Sequence, residues 1–280
     1  MAETKTLFGL DKPVIGMLHV APSPGVPGFP GIQAAVEKMR LDLQAYLRAG
    51  VDALLLENMH DFPCVAEREM GPEIAAYLTR LAMEARRLCD EALGGAARPL
   101  PLGVQVLFAA SRTAVAVAQA AGLQFVRAEA WTHAHISDKG IVEAQGGKVK
   151  RYQHHIGADG ILVLTDIKKK HASHAWTADL GLADVAELLE MHRSDGAIVT
   201  GTVTGRPPRA EDLTAVRAAT RLPVIVGSGV TEENLAEHFP LADAFIVGSH
   251  FKREGHWEAR VEPERVRAFM DAARRLRREA

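Results

Sequence analysis

Short apolar runs recur along the whole chain, and each is followed by a stretch with helical spacing. The runs lie at residues 14–20, 53–58, 102–107, 125–130, 161–167, 197–201, 223–228 and 244–249. They are short, rich in Val, Ile and Leu and nearly continuous in apolarity, which predicts parallel strands covered on both faces. The segments between them predict helices. Residues 33–49 place Ala35, Met39, Leu43 and Leu47 on one stripe and stop at Gly50, a C-terminal cap signal. Residues 73–93, 112–121, 183–193, 210–219, 232–239 and 263–278 follow the same pattern, and Thr231 is placed to cap the helix that starts at Glu232. Between 131 and 157 the pattern weakens, predicting a long loop and then a short helix. Eight alternations without a Ser/Gly linker predict one (β/α)8 barrel domain over residues 1–280, an α/β fold of the TIM type, with the first and eighth strands paired. A doubly wound open sheet is the alternative. Its Gly-rich turn after the first strand is missing, and Pro22, Pro24 and Pro27 crowd that loop instead.

Composition narrows the function classes. The net charge of the 280 residues is −2, without the basic excess of a nucleic-acid surface. Aromatics at 5% also speak against stacking platforms for single strands. Cys64 and Cys89, the two cysteines, form no C-x-x-C pair, so no disulfide framework or zinc ribbon is expected. No apolar stretch nears the ~20 residues of a membrane span. With no apolar leader segment evident, a cytoplasmic protein is expected.

Charged residues inside covered strands must face the barrel lumen or its C-terminal rim, where active sites of this fold are built. His19, Glu57, Asn58, Gln105, Arg127, Glu129, Asp166 and Lys168 fall in or just after such runs. Alternation puts Arg127 and Glu129 on one face, and Asp166 and Lys168 on another. Arg127 could also plug the lumen by pairing with Glu57 or Glu129. Asp166 is the expected principal acid–base group, with Glu57 and Glu129 shaping its field and Lys170 and His171 assisting. Glu57 and Asp166 could hold a Mg²⁺ ion, although no metal-ligand motif calls for one. Small residues form a second constellation: Gly201 and Thr202 after the sixth run, Gly227, Ser228 and Gly229 after the seventh, Gly248 and Ser249 after the eighth. Their backbone amides could cradle a phosphate, which barrels commonly hold at the last strand ends. The arginines at 274–278 are expected to complement the dipole of the last helix.

Seven segments resemble the BtpA (BtpA/SgcQ) family: PVIGMLHV at 13–20, GVDALLLEN at 50–58, ISDKGIVEA at 136–144, DIKKKHA at 166–172, AIVTGTVTG at 197–205, PVIVGSGVTEEN at 223–234 and FIVGSHFKREG at 245–255. The resemblance spans nearly the whole chain and implies a phosphate-binding TIM barrel. The family takes its name from a factor needed for photosystem I biogenesis, and a relative is associated with a sugar-metabolism operon. At Gln105 and Glu129 the chain departs from the common pattern, which favours Asn late in the third and fourth strands. The expected function is an isomerase- or lyase-type enzyme on a small phosphorylated metabolite, such as a sugar phosphate or nucleotide-like compound. A noncatalytic assembly or regulatory factor is the alternative. A homo-oligomer is left open, and no nucleic-acid partner is expected.

Overall fold

A computed structural model describes residues 5–94, 98–201 and 207–279. Eight strands close a parallel barrel: β1 (Val14–His19), β2 (Ala53–Glu57), β3 (Leu102–Gln105), β4 (Phe125–Ala128), β7 (Leu162–Ile167), β8 (Gly196–Val199), β9 (Val224–Val226) and β10 (Ala244–Val247). Their order round the wall is β1-β10-β9-β8-β7-β4-β3-β2, so the first and last strands pair as expected, with Val14 beside Phe245 and Ile15 beside Ile246. The helices are α1 (Ile32–Ala49), α2 (Pro72–Ala92), α3 (Ser111–Ala121), α4 (Gly146–His155), α5 (Leu182–Met191), α6 (Ala210–Ala219), α7 (Glu232–His238) and α8 (Pro263–Glu279). Gly50 ends α1 at φ +71°, a left-handed conformation that needs no Cβ. At the start of α7, the Thr231 amide donates to Asn234 Oδ1 at 2.9 Å.

One element departs from expectation. The predicted loop after residue 131 contains an antiparallel hairpin, β5 (His135–Ser137) and β6 (Gly140–Val142), turning through Asp138 and Lys139. Three-residue strands carry too little alternation to register in a hydrophobic pattern. Of the C-terminal arginines, Arg277 and Arg278 stand in the last turn of α8, and two of the group also reach other elements. Arg274 donates to the carbonyls of Ala49 and Gly50, and Arg277 pairs with Asp52, so they tie α8 to the end of α1 and the start of β2.

Strand alternation sorts the apolar residues into two cores. Outward side chains such as Val14, Leu18, Leu54, Val104, Val126 and Phe245 pack under the helices. Inward ones fill the lower lumen: Ile15, Met17, Leu55, Phe125, Leu164, Ile198, Ile225 and Ile246. Gly103 faces inward because Phe125 takes its space; a Cβ there would lie 2.4 Å from the ring. Phe8 packs against this cluster, its ring 4.8 Å from Phe125 and tilted by 39°. Above this packed floor the inward positions turn polar, and a cavity opens at the C-terminal end. No helix among the described residues is long and apolar enough to cross a membrane.

Candidate functional site

The cavity has a volume of about 800 Å³. Its floor is the last inward layer of the barrel. His19 stands beside Glu57 in the β1–β2 register, and Glu57 beside Gln105 in the β2–β3 register. Arg127 and Asp166 complete the ring from β4 and β7. All five are buried.

Of the three buried carboxylates that line the cavity, Glu57, Glu129 and Asp166, two are fully engaged. Asp166 accepts both prongs of Arg127, from Nε at 3.0 Å and from a terminal nitrogen at 2.8 Å. This fork is the preferred geometry of a buried pair. Burial disfavours the Arg127 cation, but Asp166, supported by Glu57 and Glu129, holds it protonated. Arg127 therefore pairs with Asp166, and not with Glu57 or Glu129. Glu129 accepts from Lys169 Nζ at 2.8 Å, the Ala109 amide at 2.9 Å and Gln105 Nε2 at 3.3 Å. Both Asp166 oxygens are therefore committed to Arg127. No three His, Cys, Asp or Glu side chains cluster as a metal site among the described residues.

Glu57 differs. Among the described residues its one close side-chain partner is His19, with Nε2 3.4 Å from Oε2. Burial raises its pKa from 4.5 to about 7, against the opposing pull of Arg127 and Lys170. The His19 ring is neutral near pH 7, because burial and then Lys252 push its pKa well below the usual value. Its Nδ1 faces the Trp257 carbonyl at 3.4 Å. Lys170 also lines the cavity, and its ammonium makes no hydrogen bond or ion pair among the described residues. Burial, then the Arg127 charge, lowers its pKa. A carboxyl that titrates near neutrality beside a partly desolvated amine suits proton transfer at pH 7. His171 joins the same wall, its pKa lowered by burial and by Lys170.

The opposite side carries the small residues. Gly227, Ser228, Gly229, Gly248 and Ser249 all line the cavity, with Thr231, His250 and Arg265 beside them. The Ser228 hydroxyl is buried and makes no hydrogen bond among the described residues. Arg265 at the start of α8 is oriented by donating from Nε to the His250 carbonyl at 2.6 Å. Gly227 also has a packing reason, since a Cβ would lie 2.4 Å from Ile198 and 2.8 Å from Thr200. Gly248 is roomier, with Met17 at 3.4 Å and His19 at 3.8 Å from a built Cβ.

Three expected residues do not line the cavity. Lys168 turns away and donates to the carbonyls of Thr177 and Leu180. Its φ of +43° just past the end of β7 breaks the strand alternation, so Lys169 and Lys170 both face the cavity. Asn58 is a fully buried strut: Oδ1 accepts the Leu107 amide at 2.7 Å and Nδ2 donates to Asp61 at 2.7 Å. Gly201 is buried beyond β8 and does not line the cavity. Thr202 lies outside the described residues. Sequence reasoning passed over Lys169, Arg265, Phe62, Phe108 and Trp257. The lysine lay hidden in a run that alternation parsed wrongly. The others belong to loops or to a helix start, where no strand period assigns a face.

A closed (β/α)8 barrel with a deep ionisable cavity at its C-terminal mouth defines a TIM-barrel protein. Within that class the chain belongs to the BtpA family, whose model matches residues 10–275. It is 36% identical over 276 residues to an uncharacterized protein of Caenorhabditis elegans, F13E9.13, titled mitochondrial; the match covers 97% of each chain. It is 32% identical over 267 residues to the photosystem I biogenesis protein BtpA of Synechocystis, covering 95% of this chain and 89% of that one. Among solved structures, thiamine phosphate pyrophosphorylase from Pyrococcus furiosus shares the fold with a TM-score of 0.54 at 12% identity, covering 95% of this chain and 96% of that one.

Proposed function

We propose that the protein is an enzyme performing acid–base chemistry, of the isomerase or lyase type, on a small phosphorylated metabolite. One observation carries this reading: a single cavity joins a carboxyl with a pKa of about 7 to glycine-rich strand ends and an arginine. The amides around Gly229 and Gly248, the Ser228 hydroxyl and Arg265 would hold the phosphate. Glu57 would move the proton, with His19 positioning it. Lys170 would stabilise negative charge developing on a substrate oxygen, more strongly in this desolvated site than in water. Asp166, the residue first expected to be the base, would instead anchor Arg127. Glu129 would position Lys169. A noncatalytic factor has no need for a buried carboxyl and a lysine without an ion pair among the described residues, both held at a desolvation cost.

Calorimetric titration with phosphate monoesters, inorganic phosphate as the reference, tests the anion site. Arg265→Ala should weaken binding about 10- to 100-fold, the worth of one hydrogen bond to a charged group. Esters that bind are then incubated in D₂O and followed by proton NMR. Wild type should wash deuterium into a substrate C–H, and Glu57→Gln should slow this by about 10²–10⁴-fold while still binding. Normal exchange in Glu57→Gln would move the base to another residue. The absence of any bound ester would overturn the phosphate reading.

A further inference from the structure

Anion chemistry occupies only part of the cavity. At about 800 Å³ it lies in the upper part of the range for drug-sized ligands, about 300–1,000 Å³. The mouth on the β10–β1–β2 side is aromatic and apolar. The Trp257 ring lies 5.2 Å from His60 at 37° and 5.9 Å from Phe62 at 54°. Met59 and Phe62 line the same wall, and Phe62 is 49% exposed. Trp257 sits in the loop that leaves the glycine end of β10, so one loop carries both the phosphate-side glycine and the indole. Its carbonyl faces His19, the partner of Glu57.

We infer that the ligand is a phosphate monoester carrying a planar aromatic or heteroaromatic ring, and that this ring packs against Trp257 and Phe62. The inference rests on the phosphate reading above and adds the second half of the ligand. An indole with a half-exposed phenyl beside it offers a stacking surface to a planar ring. The cationic side chains Lys170 and Arg265 and the orphaned Ser228 hydroxyl are left for the phosphate and the reacting oxygen.

The probes are ribose 5-phosphate and adenosine 5′-monophosphate, which share the phosphoribosyl part and differ by the ring. Calorimetry on the wild type should show the nucleotide binding about tenfold tighter or better, as one stacked base is worth. Trp257→Ala should bring the two ligands within about threefold of each other and leave ribose 5-phosphate unchanged. Trp257→Phe should keep part of the preference. Unchanged ribose 5-phosphate affinity also reports that the variants fold. Equal affinity of the two ligands in the wild type would overturn the ring inference while the phosphate reading stands. A Trp257→Ala variant that weakens both ligands alike would do the same. If neither ligand nor inorganic phosphate binds, the phosphate reading fails and takes this inference with it.

Discussion

The folded protein should become less stable, relative to a Glu57→Gln variant, as pH rises. Glu57 goes from an ordinary carboxyl pKa of 4.5 in the unfolded chain to about 7 in the barrel. Because the folded value is the higher one, folding takes up a proton between these two pH values. The associated stability is fully present below about pH 4.5 and is lost as pH rises through 7. At 1.36 kcal/mol per pH unit, the part lost between pH 5 and pH 8 is about 2–3 kcal/mol. Glutamine keeps the shape, cannot ionise and removes only this contribution. Urea unfolding of both proteins at pH 5, 6, 7 and 8 measures the difference in stability at each pH. Taking the difference cancels the histidines and surface carboxylates common to both. The variant should gain about 2–3 kcal/mol on wild type across the range, most steeply between pH 5 and 7. A protonated-carboxyl infrared band that titrates near pH 7 and is missing in the variant would corroborate it. Parallel stability profiles would show that Glu57 ionises normally, and its assignment as the proton-transfer group would fall.

Two further variants test the frame around the site. Arg127→Ala leaves the Asp166 carboxyl buried without its fork, and should cost about 3–5 kcal/mol in urea unfolding, while the apolar double variant Arg127→Met/Asp166→Leu recovers most of that; a loss below about 1 kcal/mol would show that the pair is solvated. Gly103→Ala drives a methyl into the Phe125 ring and should cost about 1–3 kcal/mol, eased by Phe125→Leu, with no change in ligand affinity because the clash lies in the packed floor.

The barrel was legible in the chain because both faces of its strands are buried. Continuous apolar runs, helical stripes and a cap such as Gly50 are local signals, and eight repeats of them leave few ways to close a sheet. The polar ring at His19, Glu57, Gln105, Arg127 and Asp166 was legible for the same reason. A charged side chain in a covered strand has no other direction to take. What each member does was decided only by the tertiary structure. Pairing across strands depends on which neighbour lies within about 3 Å, and sequence holds no information on that between residues 39 positions apart, as Arg127 and Asp166 are. Their fork commits Asp166 to Arg127, whereas Glu57, which meets only the neutral His19 ring at 3.4 Å among the described residues, is left to burial, which raises its pKa. One positive φ, at Lys168, sufficed to swap which lysines enter the cavity. Trp257, Phe62 and Arg265 lie outside any strand period, and only the path of the loops after β2 and β10 brings them over the mouth. Local periodicity writes the scaffold into the sequence; dielectric environment and partner choice arise when distant segments meet.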